Sequence, residues 1–150
     1  MPLNPLFLDD LQLGMTWIGQ SVTITADAII AFGKEYDPQP FHTDPVTAST
    51  GLFGGLIASS WHVAALVMRQ FIDARPFGSA PILGLGVNEL RWLRPVRPED
   101  VLTARGEIID LKPSKSKPGR GVVRTAIAVT NQAGVTVMSF LTSTHLSVRA

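Results

Sequence analysis

Two kinds of hydrophobic spacing divide this chain. Residues 16–24, TWIGQSVTI, are rich in β-branched and aromatic side chains and predict a strand. Thr25 then stands where an N-cap belongs, ahead of a helix over 26–35 whose apolar stripe is Ile29, Ile30 and Phe32. Pro38 closes that helix, because a residue before proline is pushed out of the α region. Asp44-Pro45 reads as a cap followed by proline in a first turn, opening a short helix that stops near Gly51. The longest helical stretch is 56–73, LIASSWHVAALVMRQFID. Its first four turns are apolar or small nearly all round, which predicts a helix buried on most sides.

After Ile82 the pattern becomes that of strands. Four runs, 82–96, 101–112, 121–131 and 135–148, are separated by turn signals at Arg97–Asp100, in the Lys/Ser/Pro/Gly tract 112–121, and at Asn131–Gly134. Connections this short favour antiparallel neighbours. The expectation is an α+β fold over one domain, residues 1–150: a curved antiparallel β-sheet wrapped around a long central α-helix. Such a sheet leaves an edge strand open, and pairing of two edges in a homodimer or higher even oligomer would cover it.

Composition narrows the function. A length of 150 residues suits one domain with a sizeable core, and 45% hydrophobic against 17% charged residues is somewhat apolar for a monomer. A net charge of +1 makes no case for a nucleic-acid partner. The absence of cysteine excludes disulfides, thiolate nucleophiles and cysteine-bound metals. Three scattered histidines form no metal-ligand pattern, so neither a metal nor a redox cofactor is expected. The first ten residues lack a signal-peptide pattern, and no apolar run approaches the roughly 20 residues of a membrane span. A cytoplasmic protein with no membrane partner is the expectation.

Candidate chemistry concentrates in YDPQPFHTDP, residues 36–45. A carboxylate and an imidazole can hold one water between them and move its protons, which gives Asp37 and His42 a possible joint role. Yet Asp37 and Gln39 both precede proline, and five extended residues would put the pair about 15 Å apart unless a turn intervenes. On the residues alone, a reactive loop and a proline-rich connector with a solvated His42 both stand. Asp44 is read as a helix cap. Gln39 either orients a water or a loop carbonyl, or is a turn residue. Ser59 and Ser60 open the long helix, where unpaired N–H groups and the helix dipole favour a negative oxygen; equally, they are small residues permitting close packing. His62 is read as a core or interface histidine and His145 as structural. The basic hairpin with Lys112, Lys115, Lys117 and Arg120 is either a solvated loop or a phosphate contact, and Arg91, Arg94 and Arg97 pose the same question.

Three stretches, FGKEYDPQPFHTDPVTAST, FGGLIASSWHVAAL and RWLRPVRPEDVLTARGEI, together and in this order resemble the MaoC-like dehydratases, a group that includes (R)-specific enoyl-CoA hydratases of the hotdog fold. The family signature Asp-x-Asn-Pro-x-His reads here as Asp37-Pro38-Gln39-Pro40-Phe41-His42. Gln39 departs from the usual Asn, and Ser59-Ser60 from the usual His-Gly. The resemblance implies a homodimeric hydro-lyase acting on an enoyl-CoA thioester, with coenzyme A entering only as part of the substrate. Asp37 and His42 would share the water, and the Ser60 backbone N–H would bind the thioester oxygen. Gln39, Ser59, Trp61, Lys115, Lys117 and Arg120 would face the substrate, with Trp61, Met68 and Phe71 lining either core or an acyl pocket. A hotdog acyl-CoA thioesterase and a catalytically silent acyl-CoA-binding subunit remain as alternatives.

Overall fold

A computed structural model describes residues 3–150. A 3-10 turn at Leu8–Asp10 leads to short strands β1 (Thr16–Ile18) and β2 (Val22–Thr23). Helix α1 spans Ala26–Tyr36, and single turns α2 (Pro40–Thr43) and α3 (Pro45–Ser49) follow it. Helix α4 covers Ser60–Ala74, ahead of β3 (Leu83–Trp92), β4 (Val101–Pro113), β5 (Arg120–Thr130) and β6 (Thr136–Ser147). Thr25 caps α1 through its side chain, which accepts from the Ala28 N–H. The strands form an antiparallel sheet in the order β1-β4-β5-β6-β3, with β2 also on β4. This is the α+β architecture expected, an antiparallel sheet around a central helix.

Alternation along β4, β5 and β6 sends Leu102, Ala104, Ile108, Val123, Ile127, Val129, Met138 and Leu146 inward, where they meet Val63, Val67 and Phe71 of α4. The run 16–24 is not one strand. It breaks at Gly19, and the side chain of Gln70 fills the gap, donating from Nε2 to the Leu102 carbonyl and accepting from the Ala104 N–H. A Cβ at Gly19 would lie 2.5 Å from the Gln70 Oε1, so only glycine lets the helix side chain approach.

Two expectations need correction. The long helix starts at Ser60 and not near Leu56. Residues 57 and 58 lie outside the helix and bond outward, Ile57 N–H to the Phe41 carbonyl and Ala58 N–H to the Val96 carbonyl. An apolar run buried in either conformation looks the same in sequence. Nor is α4 buried on most sides: Trp61, Met68 and Ile72 leave one face open. That open face lies on the side of β3, an edge strand whose Leu83, Leu85 and Val87 are also exposed. Among the described residues no helix is long and apolar enough to cross a membrane.

Candidate active site

The YDPQPFHTDP stretch does not run extended. Helix α1 ends at Tyr36, and Asp37 takes a bent conformation with ψ near 68° while its N–H bonds back to the Gly33 carbonyl. The Gln39 N–H then bonds to the Asp37 carbonyl at 2.7 Å, a γ-type turn centred on Pro38. Pro40 occupies the first position of α2, where a missing N–H costs nothing. Two consecutive turns replace the five extended residues, and His42 Nε2 arrives 3.2 Å from Asp37 Oδ2.

Close packing fixes the turn. Gly33, buried in α1, has no side chain to hold α2 away: a Cβ there would sit 2.8 Å from the His42 carbonyl oxygen. Asp44 caps α3, its Oδ1 accepting from the Val46 and Thr47 N–H groups, which confirms it as a structural residue.

The pair is held from several sides. Nδ1 of His42 lies 2.7 Å from the Ile57 carbonyl, an acceptor, so Nδ1 carries the proton. Nε2 faces Asp37 Oδ2 at direct-contact distance, and as the second N–H of an imidazolium it would donate to that oxygen. Asp37 Oδ1 accepts from Gln39 Nε2, and Oδ2 from Ser59 Oγ, each at 2.7 Å. The Gln39 hydrogen bond, then the Ser59 hydrogen bond and the His42 charge, hold the Asp37 carboxyl below the usual carboxylate range, against the opposing effect of burial. These contacts favour the ionised form of Asp37.

Around the pair opens a cleft of about 500 Å³. Phe41, Phe53 and Val96 supply apolar wall, and Trp61, Trp92 and Arg94 stand at the exposed rim. Ser60 is the first residue of α4, so its N–H has no carbonyl one turn back to bond and forms part of the positive end of the helix. A smaller apolar groove, about 180 Å³, runs from Trp61 between α4 and the sheet, past Ala64, Met68, Leu90 and Phe140.

Of the residues singled out in sequence, Asp37, Gln39, His42, Ser59, Ser60 and Trp61 meet in the cleft. Two of them do something other than expected: the Gln39 amide and the Ser59 hydroxyl are spent on Asp37, and Ser59 is fully buried. Lys115, Lys117 and Arg120 are not brought in. They belong to the β4–β5 hairpin, at the opposite end of the sheet from the cleft. Arg97 is turned to the Phe53 carbonyl at 2.6 Å, and Arg91 lies on the sheet's outer face, in the cross-strand row that runs through Ser139 and Ala128 to Arg105. Sequence reasoning missed the Ile57 carbonyl and Trp92. A main-chain acceptor has no sequence signal, and Trp92 reads only as a strand aromatic.

Residues 12–132 match the family model described as the MaoC like domain. The Bacillus subtilis protein YdeM, itself uncharacterized, is 31% identical over 130 residues, 87% of this chain and 91% of its own. A MaoC-like dehydratase from Rhodospirillum rubrum superposes with a TM-score of 0.87 at 38% identity, covering 97% of this chain and 99% of that one. The R-hydratase PhaJ1 from Pseudomonas aeruginosa gives 0.77 at 28%, covering 97% and 92%.

Proposed function

Because the chain belongs to the MaoC-like domain family, whose members include hydratases and dehydratases, we propose that it adds water to, or removes it from, the double bond of an enoyl-CoA thioester. The observation that carries this reading is the convergence of Asp37 and His42 to 3.2 Å in a cleft beside the unpaired amide at the start of α4.

In the hydration direction, the pair takes one proton from a water that contacts both Asp37 Oδ2 and His42 Nε2 from the cleft side. The water oxygen bonds to Cβ as the double-bond electrons shift towards the thioester, whose oxygen gains charge beside the Ser60 N–H. Collapse of that enolate takes a proton from the pair at Cα and restores both groups. Gln39 and Ser59 keep the Asp37 carboxylate oriented and ionised throughout. The acyl tail runs past Trp61 into the groove beside α4, and coenzyme A leaves past Arg94 at the rim.

The protein works as a homodimer. The unpaired backbone of β3, its exposed Leu83, Leu85 and Val87, and the open face of α4 form one continuous surface suited to a second copy. A monodisperse monomer by light scattering at micromolar concentration would refute this.

The experiment for the activity is a panel of enoyl-CoA thioesters, short, long, branched and dicarboxylic, followed by loss of enoyl absorbance and identification of the product. Hydroxyacyl-CoA is the expected product. Free coenzyme A would instead mean that Asp37 directs water at the carbonyl carbon, as a thioesterase does, and neither product would leave a binding subunit.

A further inference from the structure

The hairpin joining β4 to β5 carries three exposed cations, Lys115, Lys117 and Arg120, around a turn where the Lys117 N–H bonds to Ser114 Oγ at 3.1 Å. Lys112 is different, since Asp110 engages it at 3.3 Å. Within one protomer the hairpin is far from the cleft. The row Trp92, Met138, Val129 borders the cleft, while the row Leu83, His145, Val122 lies at the hairpin's base. From Val122 to Val129 along β5 is about 23 Å at the rise of a strand, and the turn projects further still.

A two-fold dimer shortens that distance. Two copies of one edge strand related by a closed two-fold must pair antiparallel. The Leu83 end of one β3 then lies beside the Trp92 end of the other. Three strand spacings on, about 15 Å to the side, comes the base of the neighbour's β4–β5 hairpin, with its tip reaching past the strand ends where the cleft opens. A pantetheine arm leaving the cleft carries its phosphates outward across that span.

We propose that the hairpin serves the neighbouring subunit: Lys115, Lys117 and Arg120 of this chain hold the coenzyme A phosphates of a thioester whose acyl end lies in the partner's cleft. This rests on the enoyl-CoA reading of that cleft. Each cleft is then incomplete without the second copy, and the three cations, which touch nothing in their own protomer's site, acquire a target.

The test uses mixed dimers. Neutralising the hairpin in both copies (Lys115→Gln, Lys117→Gln, Arg120→Gln) should raise KM by roughly tenfold at low salt with kcat nearly unchanged, as expected for three exposed charge contacts. That chain is then co-expressed under a second affinity tag with Asp37→Asn, and the heterodimer is isolated through both tags. Its one working cleft has the neutralised hairpin in its own chain and the intact hairpin opposite. The expected result is wild-type KM at half the wild-type kcat per dimer. A KM that stays raised in the heterodimer, an unraised KM in the neutralised homodimer, or failure to recover any heterodimer would each overturn the proposal. Absence of turnover by the wild-type protein on every enoyl thioester would strike the hydro-lyase reading itself and take this proposal with it.

Discussion

Two buried histidines stand near the start of α4, and they are built oppositely. His42 is 5% exposed; its Nδ1 is held by the Ile57 carbonyl and its Nε2 faces a carboxylate that three groups keep ionised. His62 is 7% exposed; its Nδ1 has no hydrogen-bond partner, and its ring lies stacked on Phe32 at 4.9 Å. Burial alone lowers the pKa of His62, because no neighbouring acid compensates for desolvating the charged form. Burial therefore does not distinguish the proposed catalytic histidine from a packed one. What distinguishes them is whether both nitrogens have been assigned a task.

The sharpest way to break this contrast is to remove the proposed catalytic pair. Asp37→Asn and His42→Ala should each lower kcat by about 10²–10⁴-fold, the usual range for general acid–base groups. Because the two share one step in the proposed mechanism, the double variant should be little worse than the poorer single one, measured as a double-mutant cycle in kcat/KM. Multiplicative losses would mean that the groups act independently.

A smaller effect comes from displacing the pair without touching it. Gly33→Ala puts a Cβ against the His42 carbonyl, and α2 must shift by a fraction of an ångström or more. Misplacement on that scale costs up to about 10² in kcat. The variant should keep its circular dichroism spectrum and lose turnover; unchanged turnover would show that the turn has slack.

Next in size is a change in pH dependence. Gln39 is the largest cause of the lowered Asp37 pKa, so Gln39→Met should raise that pKa and move the acid limb of kcat/KM to higher pH, with Ser59→Ala doing so to a lesser degree. An acid limb that stays in place would mean that another group sets it.

The smallest effect should come from His62→Leu, which leaves turnover intact. In the wild type the unfolded chain binds a proton at His62 near pH 6.5, while the folded chain resists until lower pH. Stability contributed by the neutral ring is therefore present above about pH 6.5 and falls as pH drops below it. The leucine variant should lose that part of the slope in urea midpoints measured from neutral to mildly acidic pH.

Much of the sheet was legible in the chain because alternation and short polar turns leave few other arrangements. The caps Thr25 and Asp44 were legible for a similar reason: each is a local contact within four residues. The start of α4 was not, since Ile57 and Ala58 are apolar in a way that serves an extended segment and a buried helix alike. The closeness of Asp37 and His42 came from the resemblance and not from their spacing. Two prolines argued for extension, whereas the chain uses one as the centre of a γ-turn and the other to open α2. The Gln39 and Ser59 contacts to Asp37 depend on tertiary placement that no short window of sequence carries.

Gln70 gives the central helix something that its apolar contacts cannot. Packed hydrocarbon surfaces tolerate sliding, because each small displacement exchanges one set of contacts for a similar one. The two hydrogen bonds of the Gln70 side-chain amide with Leu102 and Ala104 have direction and a single register, and glycine at position 19 is what leaves that side chain room to make them. Gln70 lies ten residues along α4 from Ser60, so it acts as a detent for the whole rod. Axial play is thereby suppressed at the far end, where the proposed mechanism needs the Ser60 amide beside a reacting oxygen, so the tolerance of the cleft would be set by a glutamine outside it.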